Sequence, residues 1–480
     1  MACVPSFQPI PRWKSALPVW KEWPTVKNNR KKLSKTKKSP PSSRRGALLL
    51  LAEAEEGRED LSFLIDQYLQ HHGLEQKERG LLTELVYGIF RQRAYLDWQI
   101  DHFSKVRYIK APIRNILRLG LYQLLFLDKI PPFAAVNTAV ELTKEAGEIS
   151  ASRFVNGLLR TVLRKIKELP GPDPGDPVSS ISITYSHPAW MVRRWVKRWG
   201  KEKTVDLCRE NNTVPPMTLR VNLLKTNRNA LIEQMKKEGA TVIQNTLSPI
   251  GITVSGVSLR SLPSYCQGKF YVQDEGAQLI SNLVDPQPGE KILDACAAPG
   301  GKASHLTELM KGEGEVVASD IDPDRMVLVR ENIKRLQTPG ILTEAPEEAM
   351  APERKYDRIL VDAPCSALGI LRRIPEGKWQ KKPEIIRSYA EVQREILEKV
   401  FRHLKVGGRL VYATCSTEPE ENEEIVEAFS RARPELKLED PSESLTPGGR
   451  KYLNEKHYFT TLFNSDKMDR FFAVRWIRTA

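Results

Sequence analysis

Two apolar runs in this chain end in the same pair of residues. RILVDAPCS closes on Cys365-Ser366 and GGRLVYATCS on Cys415-Ser416, so two strand-like segments some fifty residues apart each deliver a thiol beside a hydroxyl. A lone cysteine is most often a small core residue, whereas a thiolate at a strand end is a nucleophile or metal ligand. The six cysteines (Cys3, Cys208, Cys266, Cys296, Cys365 and Cys415) contain no CxxC pair. That spacing argues against a disulfide framework and against a zinc site built from cysteines, and it suits a reducing, cytoplasmic setting.

A third apolar run, EKILDA, opens into Asp294-Ala-Cys-Ala-Ala-Pro-Gly-Gly-Lys302, a loop of small residues that lets backbone approach a ligand closely. A phosphate-binding P-loop would need glycine at 296 and Ser or Thr at 303, where the chain has Cys296 and Ala303, and GxGxxG is absent. Asp320, 26 residues beyond Asp294, ends the next run, where an acid accepts hydrogen bonds from a ribose diol. Acids on the first two strands suit an adenosine ligand with a cationic head better than a pyrophosphate. S-adenosylmethionine is such a ligand, while a helix cap is the alternative role for either acid.

These residues need elements to position them. EKILDA, EVVASD, YDRILVDA and GGRLVYAT read as strands separated by helical stretches such as DRMVLVRENIKRL and RSYAEVQREILEKVFRHL. Such alternation predicts an α/β domain over 275–480, with a mainly parallel sheet, helices on both faces and ligands at the carboxyl ends of the strands. Both Cys-Ser pairs fall at those ends.

The rest of the chain reads differently. From 46 to 168 the periodicity is helical: Leu82, Leu85, Val86, Ile89 and Phe90 mark one apolar face, and Val155, Leu158, Leu159, Val162, Leu163 and Ile166 another, which predicts an all-α bundle. The stretch 169–180, with four prolines and two glycines in twelve residues, reads as a linker and a domain boundary. Residues 181–274 then hold a helix with a basic side (Arg194, Lys197, Arg198, Lys201), followed by MTLRVN, ATVI and GKFYVQ as short strands around NALIEQMKKEG. A small α+β module results, and the basic side is either a solvated face or an RNA contact.

Of the net charge of +14, +11 lies in residues 1–45, where twelve basic residues face the single acid Glu22. This Pro/Lys/Ser-rich stretch reads as a disordered tail that either holds polyanions or solubilises the chain, and its acid-poor composition also suits a transit peptide. GALLLLA imitates a signal peptide, but EAEEGRED comes directly after it, so it reads as the first helix of the bundle. No apolar run approaches the roughly 20 residues that span a bilayer, so no membrane partner is expected.

DACAAPGGK, DAPCS and ATCS, in this order, resemble the Nop/Sun family of RNA cytosine-5 methyltransferases. The bundle, with TELVYGIFRQRAYLD, ILRLGLYQLLFLDKIPP and RFVNGLLRTVLRK, is similar to the NusB-like RNA-binding domain fused to the bacterial branch of that family that modifies a cytosine of 16S ribosomal RNA. The resemblance covers residues 46–480. It implies a Rossmann-like class I methyltransferase domain, S-adenosylmethionine as cofactor, 16S rRNA as partner, and a chain that acts as a monomer. By position it implies cofactor binding by Cys296, Ala297, Ala298, Pro299, Gly300, Gly301, Lys302, Asp320 and Asp362. It further implies Cys415 as nucleophile and Cys365 as the cysteine assisting product release.

Three positions depart from the family pattern. Glu344 stands in place of an Asp at the third strand, which puts its adenine-side contact in question; Ala367 replaces a Gly after DAPCS; Arg470 replaces a Gly near the C-terminus.

Cytosine-5 chemistry explains a need for two thiols. Carbon 5 is too electron-poor to take a methyl group until a nucleophile adds at carbon 6, and a thiolate is suited to that addition. Thr417-Glu-Pro-Glu420 reads as a capping box whose helix N-terminus would favour the Cys415 thiolate, with the nearby glutamates opposing it. Asp362 is placed to hydrogen-bond the cytosine N3 or exocyclic amine if it holds or shares a proton. Two alternatives stay open: the same chemistry on transfer RNA, and a non-catalytic RNA-binding assembly factor.

Overall fold

The computed structural model describes residues 42–57, 60–463 and 466–480. The basic tail expected over 1–45 lies outside the described residues except for its last four. Contacts divide the described chain into two compact units: a helical one running to Val214 that also takes in Leu371–Lys381, and an α/β one made of Pro215–Ile370 and Lys382–Ala480.

The helical unit opens with Ser43–Glu55, three residues earlier than the sequence suggested, because the Ser42 side chain accepts the Arg45 N–H and caps it. Its longest helix, Gln76–Phe103, buries Leu82, Leu85, Val86, Ile89 and Phe90 as one stripe. In Ser152–Arg164 the stripe Val155, Leu158, Leu159 and Val162 is buried, but the helix stops before Ile166, which is left exposed in the next turn.

The proline-rich stretch does not end this unit. Asp176 caps Val178 and Ser179, Pro177 supplies a preset first helical residue, and the helix Pro177–Thr184 leads on to Ala189–Asn211. Val192 and Trp195 of that last helix are buried, and by its contacts the helix groups with the helical unit. Its regular turn is interrupted at Gly200, whose φ is +81°.

The segment Leu371–Lys381 was expected within the α/β domain. It is held in the helical unit instead, by Lys378, whose ammonium donates to Arg91 O, Ser186 O and Asn212 Oδ1, and by Trp379, whose Nε1 donates to Phe90 O at 2.8 Å.

The α/β unit contains two sheets. The small one is antiparallel, in the order β2 (Thr241–Gln244), β3 (Gly251–Ser255), β1 (Met217–Val221), β4 (Phe270–Val272). Leu219, Val221, Ile252 and Phe270 pack with Leu231 and Met235 of the helix Arg228–Lys237. Three of these strands were read from the sequence; β3 was not.

The large sheet has eight strands: β5 (Lys291–Asp294), β6 (Glu315–Ser319), β7 (Ile341–Glu344), β8 (Tyr356–Asp362), β9 (Leu404–Thr414), β10 (Leu436–Leu438), β11 (Phe459–Thr460) and β12 (Phe472–Arg478). Its order is β10-β12-β9-β8-β5-β6-β7, with β11 paired to β12. The run from β7 to β9 is parallel and β12 returns antiparallel beside β9. Alternate residues bury opposite faces: Ile292, Val316 and Leu360 belong to one apolar core, Leu293, Val317, Ile359 and Val361 to the other. The carboxyl ends of β5, β6, β8 and β9 therefore lie side by side, as the expected architecture requires.

Candidate active site at the carboxyl ends of the central strands

β5 carries Asp294 to the sheet edge, and the loop 295–300 then doubles back into the helix Gly301–Leu309. Backbone bonds fix that loop to its neighbours: Ala295 N donates to Leu360 O at 2.9 Å, and Ala297 N to Ser319 O at 2.8 Å. Asn332 reaches Pro299 O and Arg325 reaches Ala298 O, both at 3.0 Å. Gly300, with φ +96°, makes the left-handed turn, and a Cβ on Gly301 would meet the Tyr271 ring at 2.6 Å, so both glycines are required by the close approach.

Asp320, read as the ribose acid, is buried and partly committed to its own loop: Oδ2 accepts Ala298 N at 3.2 Å and Oδ1 accepts Asp322 N at 3.1 Å. A carboxylate offers about four acceptor sites, so capacity for a diol is left. Glu344 ends β7 in register with Ser319, and its Oε1 is taken by Arg354 at 2.9 Å.

Lys302, from the first turn of the loop helix, contacts Asp362 Oδ2 at 2.5 Å. Burial alone would pull the lysine down, but the charge and hydrogen bond of Asp362 outweigh it and the ammonium is held above its ordinary range. The Lys302 ammonium is thus a proton donor in direct contact with Asp362. Asp294 is wholly buried, and neither oxygen finds a hydrogen-bond partner of good geometry. Burial first, then the Asp362 charge, push its carboxyl up to about 7, with Lys302 pulling the other way.

Asp362 and Asp294 thus act on Lys302, and Asp320 ends the neighbouring strand, an acid-rich group that includes an unsatisfied buried carboxylate. It fits a ligand with a positive head and repels a pyrophosphate, which is the fit S-adenosylmethionine requires; its ligands here would be the 296–302 backbone, Asp320 and the Asp294–Lys302–Asp362 group. Cys296, within this loop, is held as the thiol chiefly by burial, then by Asp320 and Asp294.

β8 and β9 are parallel neighbours with Asp362 opposite Ala413, so the residues just past their ends meet. Cys365 Sγ and Cys415 Sγ lie 3.1 Å apart. The Cys365 thiol is pushed well up, first by its hydrogen bond with Cys415, then by burial, then by the charges of Cys415 and Glu421. Either sulfur can donate in this contact.

The serines meet as well: Ser366 Oγ and Ser416 Oγ are 3.1 Å apart, and both donate to Glu421 Oε2. Neither the serine pair nor Glu421 was singled out from the sequence; the repeated Cys-Ser was visible, but Glu421 sits in EPEENEE, which looks like a solvated acidic face.

Two expectations need correction. Thr417 does not cap a helix: its hydroxyl turns to Glu418 Oε1, Pro419–Glu421 forms a 3₁₀ turn, and the helix begins only at Glu423. No helix N-terminus opens at Thr417 to favour the thiolate. Arg470, where the family pattern has a Gly, needs no left-handed turn, since its φ is not positive; its N–H donates to Gly369 O at 3.1 Å and its backbone packs on Gly369. At Ala367, by contrast, φ is +56°, the conformation for which glycine is best suited.

Three family models match in succession: the NusB family over residues 41–164, an RsmF/B-like ferredoxin-like domain over 187–258, and 16S rRNA methyltransferase RsmB/F over 281–476. The chain is 37% identical to the probable ribosomal RNA small subunit methyltransferase B of Bacillus subtilis, across 80% of this chain and 87% of that one. It is 34% identical to the ribosomal RNA small subunit methyltransferase B of Escherichia coli K12, across 78% and 88%. The crystal structure of PH0851 superposes with a TM-score of 0.76 at 26% identity, covering 92% of this chain and 100% of the other. Identity of this extent, spread over the helical, ferredoxin-like and sheet regions alike, places the chain in the RsmB/F family of S-adenosylmethionine-dependent rRNA methyltransferases.

Proposed function

We propose that the chain transfers the methyl group of S-adenosylmethionine to carbon 5 of a cytosine in 16S rRNA through a transient bond between Cys415 and carbon 6. The observation that carries this reading is the 3.1 Å approach of the Cys365 and Cys415 sulfurs at the adjoining ends of β8 and β9. The Cys365 thiol is pushed well up, which favours Cys415 as the attacking sulfur. The choice of 16S rRNA rests on what the relatives are named for.

Bond by bond, Cys415 Sγ joins carbon 6, and the displaced electron pair makes carbon 5 nucleophilic. The cofactor supplies an electrophilic methyl group. The Lys302–Asp362 pair presents a proton where negative charge builds on the ring. A water beside Cys365 then takes the carbon 5 proton, the C5–C6 double bond re-forms as the C6–S bond breaks, and Cys415 leaves as thiolate. Cys365, directly or through a water, is the group that assists this last stage.

Cys415→Ala is expected to abolish methylation and to form no adduct, whereas Cys365→Ala accumulates a protein–RNA adduct on a denaturing gel. Bisulfite sequencing of rRNA with and without the gene reads the modified base. An adduct that persists in the Cys415 variant and is missing from the Cys365 variant would exchange the two roles.

A further inference from the structure

Glu421 is fully buried, and its carboxylate binds both Cys-Ser corners at once. Oε1 accepts Ser366 N at 2.7 Å and Gln393 Nε2 at 3.3 Å, while Oε2 accepts Ser366 Oγ at 2.5 Å together with Ser416 Oγ. Four donors fill the four acceptor sites of an ionised carboxylate, an arrangement that glutamine, with its amide hydrogens, cannot copy. The donors come from three places: the loop after β8, the loop after β9, and the helix Glu384–Phe401.

The clamp is itself held. Tyr412 Oη donates to Glu421 O at 2.6 Å, Thr414 Oγ1 donates to Asn422 Oδ1 at 2.6 Å, and Asn422 Nδ2 donates to Ser416 O at 3.0 Å. Gln393 Nε2 also reaches Pro364 O at 2.9 Å, one residue before Cys365. Each cysteine is thus one residue from a serine that the same carboxylate grips. Burial raises the Glu421 pKa and the bonds from Ser366 and Ser416 oppose that rise, so the contacts favour the charged form against the surroundings.

We propose that Glu421 is a positioning residue for methyl transfer: by binding Ser366 and Ser416 together, it keeps Cys365 and Cys415 in contact so that both can serve one base. The proposal rests on the covalent reading above. It goes further in giving the acidic stretch after Cys415 a role that touches neither cofactor nor substrate.

The geometry can be read without catalysis. Diamide, a thiol oxidant, should join Cys365 to Cys415 in the full-length protein, with peptide mapping giving the rate. Glu421→Gln leaves buried donors unmatched and should slow this crosslink at least about fivefold, and Ser366→Ala should slow it by less. Methylation by Glu421→Gln should fall about tenfold or more in kcat, while KM for S-adenosylmethionine stays within about twofold, since Glu421 makes no contact with the 296–302 loop; Glu421→Asp should recover part of kcat.

If Glu421→Gln crosslinks as fast as the natural protein, the proposal is overturned, and the same holds if kcat is lost only together with cofactor affinity. Should Glu421→Gln fail to fold, Ser366→Ala carries the same test: an unchanged crosslinking rate there overturns the clamp. Slower crosslinking with undiminished methyl transfer sustains the clamp and sinks the covalent reading instead.

Discussion

Arg220 of β1 offers the most demanding test of how the small sheet supports the cofactor loop. Its guanidinium is fully buried and donates to Gln273 Oε1 at 2.6 Å, Gly301 O at 2.5 Å, Ser304 Oγ at 2.8 Å and Glu308 Oε1 at 2.8 Å. Glu308 is equally buried, so Arg220→Met strands a carboxylate without its cation. Breaking a buried pair in this way costs about 3–5 kcal/mol, whereas replacing both partners by apolar side chains is often close to neutral.

Urea unfolding of the α/β unit should therefore show a loss of that size for Arg220→Met, and at least half of it recovered in Arg220→Met/Glu308→Met. The loss should also depend on pH. Burial already raises the Glu308 pKa while Arg220 restrains it, so the variant's Glu308 titrates higher still. A group raised on folding contributes stability that is present below its unfolded value and lost as pH rises through its folded value. The variant should accordingly be worst at neutral pH and recover toward pH 5. Because Gly301 O opens the loop helix, cofactor affinity should drop as well, by about threefold to tenfold. A loss below about 1 kcal/mol, or a double variant as weak as the single one, would show that the small sheet does not brace the cofactor loop through this pair.

Ala367→Gly should raise the urea midpoint: relief of the left-handed conformation gives about 1–2 kcal/mol and the added unfolded-state freedom takes back about 0.5–1, a net gain of roughly 0.5–1 kcal/mol. A lower midpoint would mean that the methyl group packs usefully at φ +56°. Asp294, pushed up to about 7, should make S-adenosylmethionine binding pH-dependent, because a cationic ligand favours the ionised carboxylate; affinity measured by calorimetry should rise about threefold or more from pH 6 to pH 8. Asp294→Asn should remove that slope, and a flat profile in the natural protein would place the cation away from Asp294.

The features legible in the sequence are the local ones. The 3.6-residue stripes around Leu82 and Val155, the apolar runs of β5, β6, β8 and β9, and the small-residue loop 295–301 each declare themselves within a dozen residues, because burial and turn geometry act at that range. The carboxyl-end rule then brings the two thiols to one edge of the sheet from sequence alone. Where the reading failed, the cause was a partner distant in sequence. The proline-rich stretch 169–180 has the composition of a linker, yet its end is ordered, since Asp176 caps and Pro177 opens the helix Pro177–Thr184. Lys378 looks like a surface lysine; acceptors 166, 192 and 287 residues away in the chain make it a buried anchor.

Glu421 is the same lesson at the site. Acids in a run such as EPEENEE are ordinarily solvated, and nothing in their spacing distinguishes one from its neighbours. What singles out Glu421 is that β8 and β9 end side by side, so that Ser366 and Ser416, fifty residues apart, present hydroxyls to one point. Two hydroxyls and a buried N–H converging there would be costly if left unmatched, and one carboxylate satisfies all three. The repeated Cys-Ser is therefore the legible half of the arrangement: the sulfurs are explained by the chemistry proposed for them, and the serines by the need to hold those sulfurs 3.1 Å apart.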